Sequence, residues 1–587
     1  MKHSRRSRNA AVAAAVMTLA AATATQAANV WAVDDKGNIT LNGTLFRIKG
    51  GSWFGLEGRH EPSSEATNPS GAPMEQYIGN MFWSESGRTL AKDATEIKNL
   101  GFNSIRIPVA PQTLTDTDPQ GRDPNLKNAQ SVRIQGAYTA LKEVVKACAS
   151  AGLYVMLDMH TCSNYVGWRK GRLDGRPPYA DATRVGYDYK REEYSCAETN
   201  NPATVKYIHP YNTAKWLADL KKLAGLGAEL GVDNIMGIDI FNEPWDYSWA
   251  EWKSLIEQAY AAISPVNPNL LIFAQGIGST NGSQDGTPDT KANTPHGDLA
   301  TNPNWGENLF EAGLLPPAIP KSKLVFSPHT YGPSVYQQAM FTDPAQAGCA
   351  GLEGDALGEK KCQIVINQAR LDAGWHEHFG YLKAMGYGMA IGEFGGNMDW
   401  PAKSSAHAQS LFGYLTNKKS DEDWQNAFVD YMMREGIHDS FYWSINPESA
   451  DTYGVFTTPY LPNSNEDGWG TWGAPDARKV ALLTKLWNAP QVENPGRVAS
   501  IKGETRRGIS VSFSGTGSIA YTLPKAGFVS LKLFNLDGSL RSEVVARQQS
   551  AGSYSIDRRQ LDAEPGVYVA AFKAGDYSHN RKIVLAR

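Results

Sequence analysis

Beyond its first 27 residues this sequence has no apolar run approaching the ~20 residues that a spanning helix needs, so the body of the chain is not expected to cross a bilayer as helices. Cysteine is scarce, five in 587 residues, and no cysteine or histidine spacing matches a zinc site. Neither a metal nor an organic cofactor is expected. Net charge is only −3. From Gly496 to Arg587 basic residues outnumber acidic ones 14 to 7, which leaves the rest of the mature chain acidic and argues against nucleic acid as a partner. Internal repeats and long low-complexity linkers are missing too. Tryptophan is abundant, 16 residues, yet none follows Trp487.

The first 27 residues stand apart. Lys2, Arg5, Arg6 and Arg8 precede an alanine-rich apolar run from Ala10 to Ala22 and a small-residue site at Thr25-Gln26-Ala27, the pattern of a cleaved export signal. In an exported chain cysteines pair. Cys162 and Cys196 bracket a polar, glycine-rich insertion, Cys349 and Cys362 bracket a short glycine-containing segment, and each pair is expected to staple a loop. Cys148, within the apolar helical pattern Leu141, Val144, Val145, Cys148, is expected as a buried free thiol.

After a small hairpin, Val30 to Ala32 with Ile39 to Leu41, expected to close a barrel floor, apolar runs of strand length alternate with amphipathic stretches. The strands expected are Phe46 to Trp53, Ser104 to Ala110, Tyr154 to His160, Ile235 to Asn242, Leu270 to Gln275, Leu324 to His329, Met389 to Glu393 and Ser440 to Ile445. Helices are expected over Lys92 to Leu100, Gly136 to Ser150, Thr213 to Leu230, Trp249 to Ile263, Ile364 to Met385 and Asp421 to Arg434. Eight such units predict an α/β fold, a (β/α)8 TIM barrel over residues 28–490, whose chemistry lies where the strands end. A connector at 491–504 leads to alternating short runs over 505–587, which predict a small all-β sandwich.

Two of the strand ends carry glutamate: Asp239-Ile240-Phe241-Asn242-Glu243-Pro244 on the fourth and Ala390-Ile391-Gly392-Glu393-Phe394-Gly395 on the seventh. Two carboxyl groups meeting in one cleft are what glycoside hydrolysis needs, one to protonate the leaving oxygen and one to meet the developing oxocarbenium carbon. Arg106, His160, Asn242, His329, Tyr331 and Trp443 belong to other strand ends and are expected to face the same space. Arg106 suits holding a carboxylate ionised, Asn242 bonding a sugar 2-hydroxyl, Tyr331 donating to the nucleophile, and Trp443 stacking on a sugar face.

Those motifs, together with Gly51-Ser52-Trp53-Phe54-Gly55, Ser104-Ile105-Arg106-Ile107-Pro108, Leu157-Asp158-Met159-His160, Ser327-Pro328-His329-Thr330-Tyr331 and Tyr442-Trp443-Ser444-Ile445-Asn446-Pro447, resemble glycoside hydrolase family 5, most closely its bacterial endo-β-1,4-glucanase branch. The resemblance spans residues 46 to 488. It implies Glu243 as acid/base, Glu393 as nucleophile, the six other residues as the shell around the sugar at the cleavage point, and carboxyl groups about 5 to 5.5 Å apart, the spacing of a retaining mechanism. The insertion from Thr161 to Tyr207 is longer than the family pattern there. Trp53 and Trp305, with Trp245 and Trp168, are candidate sugar platforms. A β-1,4-glucan is the expected substrate, mannan or xyloglucan the alternatives within the family, and a non-hydrolytic glycan-binding surface protein the alternative outside it. The last 60 or so residues resemble a type IX secretion sorting domain, which implies contact with secretion or cell-surface machinery and a place outside the cell or on its outer surface. A monomer is expected.

Overall fold

The computed structural model describes residues 28–56, 88–114, 137–160, 212–244, 247–278, 296–297, 301–343, 345–447, 449, 452–458, 472–492, 510–513, 519–523, 526–550, 552–556, 558–574 and 577–585. The export signal, Trp168, Trp245 and the Cys162/Cys196 pair lie outside these residues.

Three short antiparallel strands open the fold: β1 (Trp31–Val33), β2 (Ile39–Leu41) and β3 (Thr44–Leu45). Eight parallel strands then close a barrel: β4 (Lys49–Ser52), β5 (Ser104–Val109), β6 (Tyr154–Met159), β7 (Ile235–Asp239), β8 (Leu271–Ala274), β9 (Leu324–Phe326), β10 (Gly388–Phe394) and β11 (Asp439–Tyr442). All eight were expected, most ending a few residues earlier than the sequence pattern. Side chains alternate across each strand. One set, including Ile105, Ile107, Leu157, Ile238, Ile272 and Ile391, packs outward against the helices. The other set, including Met156, Phe273, Val325, Ala390 and Phe441, fills the lower barrel and meets Trp31, Val33 and Ile39 of the hairpin. The hairpin is therefore the expected floor, and the upper barrel is left for polar groups.

Local chemistry sets the helix ends. The helix Thr213–Leu230 starts where the Asn212 side chain accepts from the Lys215 amide and stops at left-handed Gly231, φ 66°. Ser248 and Glu251 form a capping box for Trp249–Ile263. The expected helix Ile364 to Met385 is shorter and interrupted: Asn367 caps Gln368–Trp375, a π turn follows over His376–Gly380, and Tyr381–Ala384 completes it. The helices not anticipated include Ala406–Phe412 and Ala477–Trp487. The second buries Leu482, Leu483, Leu486 and Trp487.

Seven C-terminal strands form two antiparallel sheets: β12 (Ser510–Phe513), β13 (Ile519–Leu523) and β16 (Gly552–Ile556) in one, β15 (Leu540–Gln549), β14 (Gly527–Phe534), β17 (Gly566–Ala574) and β18 (Tyr577–Leu585) in the other. Their inner faces share a core of Tyr521, Val529, Leu531, Leu533, Phe572 and Ile583.

Cys148 is a buried free thiol, and Cys349 and Cys362 are joined, both fully buried, closing a loop of sequence separation 13. Cross-linking a loop of that size restricts the unfolded chain by about 3 kcal/mol in the chain-entropy model. A Cys349→Ser/Cys362→Ser variant should therefore lose up to about 3 kcal/mol of unfolding free energy in urea titrations; an unchanged midpoint would show that the bridge constrains nothing the folded loop does not already hold.

Candidate active site

Above the apolar floor, inward positions on successive strands become charged. Arg106 of β5 is fully buried, a position that a guanidinium tolerates only when it is paired. Its Nη2 lies 3.0 Å from Asp158 Oδ2 and 3.4 Å from Asp239 Oδ2 and donates to Asn242 Oδ1 at 2.9 Å, while Nη1 donates to Glu393 Oε1. Burial opposes its charge, but the Asp158, Glu393 and Asp239 carboxyl groups outweigh that and keep it protonated. Burial, reinforced by Asp158 and opposed by Arg106, pushes the Asp239 carboxyl well above the ordinary range. Asp158 also pairs with His160, Nδ1 to Oδ2 2.7 Å. Burial alone would discharge His160; the Asp158 charge and hydrogen bond win and raise it.

Glu393 emerges from this layer on β10, 4 % exposed. One oxygen takes the Arg106 hydrogen bond and the other accepts from the Tyr331 hydroxyl. Both are held as acceptors. Glu243 sits on a bend after β7 and is more open, its side chain 22 % exposed. His329 stands between them, Nδ1 3.1 Å from Glu243 Oε1 and 3.5 Å from Glu393 Oε2. Burial drives its imidazole down to about 3, so it is neutral at working pH. Its Nε2 is buried and has no hydrogen-bond partner among the described residues. The cheaper tautomer therefore carries the proton on Nδ1 and donates it to the carboxylates. Glu243, His329 and Glu393 each present a ligand-type atom within 4.8 Å of the others. A cation at that point would face the Arg106 guanidinium and the Tyr331 hydroxyl proton, so the cluster suits proton chemistry better than metal binding.

The remaining expected residues converge here as well. Because Asn242 Oδ1 is committed to Arg106, its amide NH2 directs one hydrogen toward His160 Nε2, 3.5 Å away, which leaves the second to donate to a sugar hydroxyl. The Trp443 indole, half-buried, stacks on Phe54 with ring centroids 5.3 Å apart and 14° between planes, and lies parallel to His160. A cavity of about 270 Å³ opens from Glu243 and Tyr331 toward Asn302, Asn304, Trp305, Tyr336 and Glu353. Trp305 thus lines the cleft as expected.

Trp53 does not. It is fully buried, edge-on to Trp472, in the apolar core that also holds Leu56, Leu90 and Ile97. The reading of Trp53 as a sugar platform is corrected: a fully buried ring has no face to offer a sugar, and its neighbour Phe54, also buried, is the one that stacks on Trp443. Asp158, Asp239 and Gln275 were not singled out. The available signal was an ionisable or amide side chain at an inward position of an otherwise apolar strand, which must find partners inside.

The buried neutral state of His329 has a consequence for stability. Below about pH 6.5 the unfolded chain takes up a proton at this residue that the folded chain refuses until about pH 3, so its contribution is present above that window and lost as pH falls through it. His329→Asn should flatten the slope of unfolding free energy against pH between 6 and 4 by about 1.4 kcal/mol per pH unit, measured by urea denaturation; equal slopes would refute the assignment.

A family model described as cellulase (glycosyl hydrolase family 5) matches residues 67–449. Endoglucanase C of Cellvibrio japonicus is 56 % identical over 463 residues, covering 78 % of this chain and 62 % of that protein. The chain therefore spans less than two thirds of that curated relative. The major extracellular endoglucanase of Xanthomonas campestris is 26 % identical over 467 residues, covering 78 % of this chain and 69 % of that protein. Among solved structures, the catalytic domain of the X. campestris enzyme aligns over 78 % of this chain and 99 % of its own length, TM-score 0.50 at 23 % identity, and an endocellulase of Pyrococcus horikoshii aligns equally widely, TM-score 0.51 at 22 % identity. At those identities the structures speak for the barrel alone, whereas the family match covers well over half of the sequence: the chain belongs to the cellulase family, glycosyl hydrolase family 5.

Proposed function

We propose that this protein is a retaining endo-β-1,4-glucanase with Glu393 as nucleophile and Glu243 as acid/base. The observation that carries the reading is the approach of the two carboxyl groups, an oxygen of each within 4.8 Å of the other at the mouth of an open cleft. Inverting enzymes keep their pair roughly 6.5 to 9.5 Å apart to admit a water, and retaining ones about 5 to 5.5 Å. The relatives named endoglucanase support β-1,4-glucan over mannan or xyloglucan as the substrate.

Surroundings divide the labour. Glu393, bonded by Arg106 and Tyr331, attacks the anomeric carbon and forms an ester with the sugar as the glycosidic C–O bond breaks. Glu243 gives its proton to the departing oxygen, then takes one from the water that cleaves the ester, which frees Glu393 and returns Glu243 to its acid form. Its greater exposure fits a group that must meet that water. Asn242 offers its amide to the sugar 2-hydroxyl, Trp443 its face to the ring, and Trp305 a platform along the cavity. His160, held by Asp158, keeps Asn242 and Trp443 in place from below.

For the C-terminal sandwich the reading is sorting or attachment at the cell surface rather than glucan binding. A flat glucan-binding face needs exposed aromatic rings, and this segment has no tryptophan. Its large exposed apolar side chains are scattered, Phe528 on β14, Leu536 in the turn and Leu540 on β15. Among the described residues no helix is long and apolar enough to cross a membrane.

Glu243→Gln and Glu393→Gln should each cut hydrolysis of carboxymethyl cellulose by at least about 10²-fold, read as viscosity and reducing ends. Nuclear magnetic resonance of the first products should show the β-anomer. An α-anomer first, or undiminished cleavage by Glu393→Gln, would end this reading.

A further inference from the structure

Glu243 has an unusual backbone for a catalytic side chain. Its φ is +46°, the left-handed region that residues with a Cβ adopt at a cost of about 1 to 2 kcal/mol. Residue 244 is proline, so the next peptide has no N–H with which to anchor the bend. Backbone bonds hold the two sides of the bend, the Asn242 amide donating to the Met159 carbonyl and the Pro244 carbonyl accepting from the Gly278 amide, both 2.9 Å; the Glu243 amide at its centre donates 2.7 Å to the side-chain Oε1 of Gln275, which is fully buried at the end of β8.

Gln275 is held on every side. Its Nε2 donates to Asp239 Oδ2 at 2.8 Å and lies 3.4 Å from Asn242 Oδ1, which fixes which end of the amide faces Glu243. Its backbone carbonyl accepts from the Trp252 indole, 2.8 Å. Above it, Gly306 leaves no room: a Cβ there would stand 2.9 Å from Gln275 Oε1 and 3.4 Å from Glu243 Cγ. The Gly306 carbonyl accepts from the Gly276 amide at 2.8 Å and from the His329 amide at 3.3 Å. The Gln275 side-chain amide thus ties the bend of Glu243 to the ionic layer, and the next backbone amide, of Gly276, ties the same strand end to the loop carrying Trp305.

We infer that Gln275 is a positioning residue for the acid/base: by accepting the Glu243 backbone N–H it holds the left-handed bend that aims the Glu243 carboxyl at the leaving-group oxygen. This rests on the glucanase reading. Gln275 touches no reacting atom and acts only through Glu243, so its effect must scale with the need for a proton.

The test compares kcat/KM on cellotetraose, whose sugar leaving group needs protonation, with kcat/KM on 2,4-dinitrophenyl β-cellobioside, whose leaving group does not. Both report only the steps up to the glycosyl-enzyme. Gln275→Leu should lower the first by roughly 10²-fold and the second by less than about threefold, since general acid help is dispensable there. Gln275→Glu, which keeps an acceptor opposite the Glu243 amide, should recover most of the lost activity on cellotetraose. Equal loss on both substrates by a variant that melts like the wild type, or loss on neither, would overturn the inference. Should Gln275→Leu fail to fold, Gln275→Met, which keeps the length of the side chain and removes its amide, carries the comparison, with selective loss on cellotetraose expected and uniform loss fatal. A wild-type protein inactive on both substrates would instead overturn the glucanase reading and this inference with it.

Discussion

One buried guanidinium organises the upper barrel. Arg106 lies where water cannot reach, and an unpaired charge there would cost several kcal/mol, so its neighbours must be acceptors with no freedom to turn away. They come from three other strands: Asp158 from β6, Asp239 and Asn242 from β7 and its end, and Glu393 from β10. The barrel wall supplies their spacing through its parallel register, with Arg106 level with Met156 on β6 and Ser52 on β4. Lysine would not substitute, because a single ammonium cannot fork between Glu393 on one side and the Asp and Asn groups on the other.

From that hub two chains of contact reach the substrate side. One runs through Glu393 to Tyr331 and His329, the other through Asp158 to His160 and on to Trp443. Asp239 and Gln275 form a third branch that ends at the backbone of Glu243. The layer holds more carboxyl groups than permanent cations. The shifts compensate in kind: Asp239 is driven toward its neutral form, His160 toward its charged form, and His329, where burial outweighs the nearby carboxylates, stays neutral. Such a layer is fully satisfied only as a whole, which is why its members share one small volume above a purely apolar floor.

How much of this was legible in the sequence depended on period. Strand alternation and glycine stops located all eight barrel strands, and the helices Thr213–Leu230 and Trp249–Ile263 fell on their expected bounds, since caps and apolar spacing agree there. Strand ends were drawn too long because ladder pairing stops before the chain leaves the barrel: the expected strand through His329 ends at Phe326, and His329 keeps only an isolated bridge to Glu393. The misplacing of Trp53 has the same origin. With a side-chain period of two, one step moves a ring from one face of the wall to the other, and no local pattern marks which step is taken where β4 ends. Gln275 was hidden because a polar residue closing an apolar run looks like an ordinary strand end, and only the third dimension puts the Glu243 amide above it.

The unequal exposure of the two glutamates follows from where the chain places them. Glu393 extends from β10, whose seven residues are all buried, so it inherits a rigid support and a dry surround with a donor on each oxygen. Glu243 comes after β7 has ended, on a bend with an unfavourable φ, and its carboxyl is steadied by His329 and borders the cavity. A nucleophile gains from the first setting, because its oxygen must meet one carbon along one line. An acid that later serves as a base needs the second, since it exchanges its proton with a leaving group in one step and with water in the next. The asymmetry of two otherwise identical side chains is thus written into the backbone that carries them: a strand for one, and for the other a bend held by a neighbouring amide.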